Sequence, residues 1–147
     1  MHKTLTTVTL LATLFAGTAA IARDSHKMFS ISDALQTQAA KDKLDPSIKL
    51  YFGDQKHPAV VKDIGEWKTN KKTNGFNKSD SEGCDWAFLA AMLTLQERAK
   101  SEGGNAVIGI KSNYKDITTV SETEYMCGNG AFISGVAFKG QVVKLAQ

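Results

Sequence analysis

Cysteine, histidine and proline are scarce, at two, three and two residues in a chain of 147. No Cys-x-x-Cys occurs, and only His26 and His57 lie beyond the first few residues, so a site built from clustered thiolates and imidazoles is not expected. No metal and no cofactor is expected. The net charge is only +3 and the lysines are spread along the chain, which gives no electrostatic case for nucleic acid.

Catalytic signatures are missing as well. A phosphate cradle needs a glycine-rich loop that opens a helix, with Lys and Ser or Thr behind it. Here Gly103-Gly104 follows a helical pattern, and Gly128-Asn129-Gly130 leads into an apolar strand. There is no Gly-x-Ser-x-Gly elbow, and His57 beside Pro58 has no nucleophile to activate unless Cys84 or Cys127 is free. Glu122 and Glu124, two apart, read as a solvated strand face rather than an acid and base pair. No catalytic residue is assigned. A small hydrolase with an unrecognised site is an alternative that needs a cleft holding a perturbed acid or base.

What the chain does carry begins at its start. Met1 to Ala22 has the three parts of a secretory signal: His2 and Lys3, an apolar run from Leu5 to Phe15, and the small-x-small Ala20-Ile21-Ala22. Threonines at 4, 6, 7, 9 and 13 interrupt the run, whereas a spanning helix needs about 20 apolar residues. Cleavage after Ala22 is expected, leaving a single domain, 23–147, in the periplasm. No cysteine ends the signal, so neither a lipid anchor nor stable membrane insertion is expected after cleavage.

In an exported chain, an isolated pair such as Cys84 and Cys127 most often closes a disulfide. A thiol or metal protein using the same two cysteines is the alternative.

Ser30 or Ser32 caps a short helix running toward Leu44 and ended by Asp45-Pro46, preceded by a polar lead. Ser47 to Phe52 alternates like a half-buried strand, and a second strand is expected over Ala59 to Thr69. Lys68 to Lys78 reads as a polar loop with its turn at Asn74-Gly75. Ser79-x-x-Glu82 has capping-box spacing and starts a long helix from about Asp80 to Glu102. Phe88, Met92, Leu95 and Ala99 form its core stripe, while Gln96, Glu97, Arg98 and Lys100 point to water. Its first half is apolar nearly all round, so burial on more than one side is expected there.

Gly103-Gly104 caps that helix, and Asn105 to Lys111 follows as a central strand in which Gly109 permits close packing. A polar turn covers Asn113 to Thr119. Thr123–Cys127 and Ala131–Phe138 read as strands about a bulge or turn at Gly128-Asn129-Gly130, and Gln141–Leu145 as a short edge strand. The fold class is α+β: an antiparallel sheet packed against one long helix plus a short N-terminal helix.

Two surfaces are candidates for binding. Trp86 with Leu93 reads either as core or as an exposed partner face, and Lys71 with Lys72 either as a solvated loop or as contacts to an anion such as lipid phosphate. The expected partners are an envelope protein or an anionic envelope component, with a homo-oligomer as a further possibility.

The helix, the Gly103-Gly104-Asn105-Ala106-Val107-Ile108-Gly109-Ile110 run and the later apolar strand resemble the core of the YbjQ and RcsF type of α+β fold. That type includes an outer-membrane lipoprotein that senses envelope stress and is stapled by disulfides. One of these ties the region before the helix to the returning strand, a resemblance that implies a bond between Cys84 and Cys127. The chain departs from it in lacking the lipid-bearing cysteine and the second cysteine pair. The whole chain after the expected cleavage point, including Tyr51-Phe52-Gly53-Asp54-Gln55 and Lys71-Lys72-Thr73-Asn74, also resembles small exported bacterial proteins carried under the label "excinuclease ATPase subunit". The residues contradict that label, for there is no Walker loop and no zinc-finger cysteine set. The resulting expectation is a non-enzymatic envelope binding or sensing module.

Overall fold

The computed structural model describes residues 24–147; the expected signal peptide, 1–22, and its cleavage point lie outside the described residues. The elements run β1 (Asp24–Ser30), α1 (Ile31–Gln36), α2 (Gln38–Lys43), β2 (Lys49–Phe52), β3 (Val60–Asn74), α3 (Asp80–Ser101), β4 (Ala106–Tyr114), β5 (Ile117–Thr119), β6 (Glu124–Gly130) and β7 (Ile133–Leu145). The class is α+β, with a seven-stranded, mostly antiparallel sheet; β2 against β4 is a parallel pair. β7 is the hub. It pairs with β3 along its whole length and also with β4 and β6.

The long helix follows its local signals. Ser79 Oγ accepts from the Glu82 N–H at 3.1 Å, Asp80 and Glu82 sit in the first turn, and Arg98 and Lys100 in the last, where the dipole favours each. At the other end the Gly103 N–H bonds Lys100 O and the Gly104 N–H bonds Ala99 O, with Gly103 at φ +78°. This is a Schellman close. The face at Phe88, Met92, Leu95 and Ala99 is fully buried against the sheet. There Phe88 meets Tyr125 at 4.7 Å between ring centroids, Phe138 at 5.7 Å and Phe52 at 5.9 Å. Gly83 is what lets the helix start so near β7, because a Cβ there would overlap the Ser134 hydroxyl.

Several expectations are corrected. The polar lead is β1, an edge strand that pairs with β6 from Asp24↔Gly130 to Ser30↔Glu124. The N-terminal helix is two short ones, with Ser30 capping α1 and Thr37, extended at φ −58° and ψ 147°, ending it and capping α2. The Lys68–Asn74 loop is strand: β3 runs on to Asn74 because β7 supplies a partner for every residue there. Gly128-Asn129-Gly130 is strand too, and the turn falls at Ala131-Phe132. Gln141–Leu145 is no edge strand but the continuation of β7 between β3 and β4.

A Cβ at Gly109 would meet no neighbour within 4 Å, so close packing does not require the glycine; its φ of +59° goes with the bulge that shifts register between Ile108 and Lys111. Gln96 does not point to water. It is 4 % exposed, its carbonyl accepts from the Asp45 N–H at 2.9 Å, and its amide donates to Asp45 O at 2.9 Å and Ile48 O at 2.8 Å. One side chain thereby clamps the link from α2 to β2 onto the helix.

The expected polar turn at 113–119 is a two-residue hairpin between β4 and β5, with Tyr114↔Ile117 paired and both Lys115 (φ +51°) and Asp116 (φ +61°) left-handed. That is the type I′ geometry, which Asn-Gly satisfies without strain. The double change Lys115→Asn with Asp116→Gly is expected to stabilise the protein by about 1 kcal/mol, seen as a higher urea midpoint at unchanged slope. An unchanged or lower midpoint would contradict the turn assignment.

Candidate functional site

Cys84, in the first turns of α3, and Cys127, on β6, are joined by a disulfide with Cα atoms 6.0 Å apart, and both are 0 % exposed. A thiol or metal role for this pair requires reduction inside the core. Neighbouring Asn129, also buried, accepts from Ser134 Oγ at 2.8 Å, and its Oδ1 lies 3.3 Å from Cys84 Sγ. A disulfide sulfur carries no hydrogen, so the second contact is packing rather than a hydrogen bond. Among the described residues no cluster of three His, Cys, Asp or Glu is placed to hold a metal, and no helix is long and apolar enough to cross a membrane.

The four residues singled out for binding do not come together. Trp86 lies on the flank of α3 that faces α1 and α2, Leu93 is half-buried two turns further on, and neither lysine lines the groove beside Trp86. Lys71 and Lys72 lie on β3, side by side and therefore on opposite faces of the sheet.

Trp86 is 42 % exposed on a helix whose other large apolar side chains are buried or half-buried. It walls a groove of about 330 Å³ together with Leu89, Ala39 and Thr37, while Ser81, Glu82 and Asp85 add the polar atoms. Thr37 and Ala39 reach it because the break between α1 and α2 folds that segment over α3, an arrangement that no local pattern announces.

Asp85 is the chemically distinctive member. Its Oδ1 accepts from the Tyr125 hydroxyl at 3.2 Å, and Tyr125 is itself wholly buried in the aromatic core. Loss of water pushes the Asp85 carboxyl above its ordinary value, the Tyr125 bond pulls it down, and the charge of Asp33 raises it further. Burial, with the Asp85 charge beside it, likewise drives the Tyr125 hydroxyl far up, so it remains a donor. The groove thus combines an indole face, apolar walls and a carboxylate short of solvation. Such a carboxylate gains most from a cation that arrives with little water of its own.

A second cleft, of about 360 Å³, holds His57, Asp54, Glu66 and Lys111. His57 Nδ1 lies 2.8 Å from its neighbour's carbonyl, Pro58 O, and the ring is edge-on to Tyr51. No serine, threonine or cysteine lines this cleft, so no side-chain hydroxyl or thiol stands beside His57 there. Glu122 and Glu124 are both exposed, with Glu122 in the turn before β6 rather than on it.

No protein-family model matches this chain. No curated protein matches it either.

Proposed function

We propose that the chain is a non-enzymatic binding module of the bacterial envelope, exported to the periplasm, whose groove takes a ligand with an apolar body and a positively charged nitrogen. The observation that carries this reading is Trp86, left exposed beside the half-buried Asp85 carboxylate on an otherwise core-forming helix. An ammonium lying on the indole gains on the order of 0.5–2 kcal/mol from the ring, and the carboxylate adds a charge-assisted bond. The buried disulfide supports an oxidising compartment. The resemblance of the Asp80–Lys139 sequence to the YbjQ and RcsF type of core supports an envelope role.

Changing Trp67 to Phe leaves Trp86 as the sole tryptophan reporter among residues 24–147. In that background Trp86 emission is expected to change saturably with hexylammonium and to respond at least about tenfold more weakly to hexanol. Asp85→Asn should abolish the preference. Binding should strengthen as pH rises through the raised Asp85 value, since the carboxylate is the form that pairs. Tyr125→Phe removes the bond that favours the carboxylate, so that midpoint should move upward. Equal response to the amine and the alcohol, or indifference to Asp85→Asn, would refute the reading.

A further inference from the structure

The face of the sheet turned away from α3 breaks a rule of strand pairing. Lys68 on β3 stands directly opposite Lys139 on β7, and Lys139 opposite Lys111 on β4, so three lysines lie in a row across three adjacent strands. Like charges in paired positions destabilise a sheet. Lys72, opposite Gly135, continues the same face toward its end. A local rule broken without structural gain points to function. Toward the Asn74 end of this surface acidic residues are missing: none lies between Trp67 and Ser79, and none follows Glu124; Glu66 and Asp54 share a cleft with Lys111 at the opposite end of the row. Asp80, just beyond Ser79, is paired with Lys27 at 3.3 Å. Asp116, near Lys68, accepts from Asn113 Nδ2 at 3.3 Å and is flanked by Lys115.

The lysine face ends in an apolar tip. Phe76 (54 % exposed) and Phe132 (63 %) stand out from two turns and Ile133 (52 %) from the start of β7, and the two phenylalanine rings stack at 5.7 Å. The turns are tied together by the Gly75 N–H bonding Phe132 O at 2.8 Å, and Lys78 Nζ donates to Asn74 O at the same tip. The tip is a built feature rather than a frayed loop. The described chain also begins here, because Asp24 pairs with Gly130, two positions from Phe132.

We infer that this end of the molecule docks on an anionic lipid surface. The phenylalanines and Ile133 enter the headgroup boundary, while Lys72, Lys68, Lys139 and Lys111 face the lipid phosphates. Interfacial binding of this kind adds buried apolar area to the attraction of lysines near a negative surface, and salt weakens the second part. The site is separate from the Trp86 groove, which lies between α3 and the two short helices.

The test is co-sedimentation of the exported chain, purified from cells, with vesicles of phosphatidylcholine alone or mixed with phosphatidylglycerol. Binding is expected to the mixed vesicles only and to fall with added salt. It should fall roughly tenfold in Lys68→Glu with Lys72→Glu, and by a similar factor in Phe76→Ser with Phe132→Ser. The hexylammonium response of Trp86 should survive both changes, which separates failure of this inference from failure of the groove. If the double phenylalanine variant does not fold, Phe132→Ser alone, at the most exposed of the three, replaces it. No binding to mixed vesicles, equal binding to neutral ones, or binding indifferent to these variants would overturn the inference. So would a solution dimer that the phenylalanine changes abolish in the absence of vesicle binding, since that assigns the face to a second copy.

Discussion

Replacing Gln96 with leucine is expected to cost about 3 kcal/mol of stability, because three hydrogen bonds of about 1 kcal/mol each are lost while apolar burial is kept. All three run from one buried amide to the backbone of the link between α2 and β2. The change therefore leaves an N–H and two carbonyls to find water at the edge of the core. Gln96→Glu makes the sharper experiment. The new carboxylate can still accept from the Asp45 N–H but faces two carbonyl oxygens, and only its protonated form can donate to one of them.

The folded variant then holds its proton more tightly than the unfolded chain. Its stability is fully present below the unfolded glutamate value and is lost as pH rises through the higher folded one. Asp45 does not obscure the result. Its carboxylate, bonded first by the Ser47 hydroxyl, then by the Ser47 N–H and by Lys100, is lowered to about 2 and keeps its charge through that window. Urea denaturation across acid pH reads the effect, and a pH-independent loss in Gln96→Glu would show that the clamp does not hold the link.

Removing the disulfide is expected to cost somewhat more. Cys84 and Cys127 are 43 positions apart, and the chain-entropy account assigns a loop of that size about 4 kcal/mol. Reduction removes no heavy atom, though the two sulfurs must part from bonded distance to van der Waals contact, and the reduced thiols have acceptors close by, Asn129 Oδ1 for Cys84 and Gly128 O for Cys127. Reduced protein should therefore show the linkage loss alone. Cys84→Ala with Cys127→Ala should add roughly 1 kcal/mol for each buried sulfur removed, judged by the value of a buried methylene. A drop in melting temperature on the order of 15 °C is the corresponding signal for a domain of this size. If reduced and double-alanine proteins melt together, within a few degrees of the oxidised one, the bond is dispensable.

The parts that were legible in the amino-acid order are those set by near neighbours. Ser79, Glu82, the stripe at Phe88, Met92, Leu95 and Ala99, and Gly103 define α3 almost to the residue, because cap, stripe and close all lie within a few positions of the residues they govern. The cysteine pairing was legible by count. β1 and the tail of β3 were not, since their polar residues become strand only through β6 and β7, about a hundred and about seventy positions away. Trp67, Thr69 and Thr73 at period two, with Thr69 buried, were the available hint for β3. Gln96 and Asp85 escaped for the same reason. Each polar atom is satisfied by a distant partner, the backbone at Asp45 and Ile48 or the Tyr125 hydroxyl. Trp86 was readable as a candidate residue, but the wall supplied by Thr37 and Ala39 was not.

The place of β7 in the sheet governs the order in which this molecule can form. It is the last element in the chain, yet β3, β4 and β6 all pair with it. β1 must likewise wait for β6. Apart from the β4–β5 and β6–β7 hairpins, the sheet pairings therefore close long loops, a topology that folds slowly because chain entropy is lost before the contacts repay it. A nascent chain that has emerged only as far as α3 has no sheet to fold onto. β3 stays unpaired until β7 has followed it, so the body of the sheet closes late.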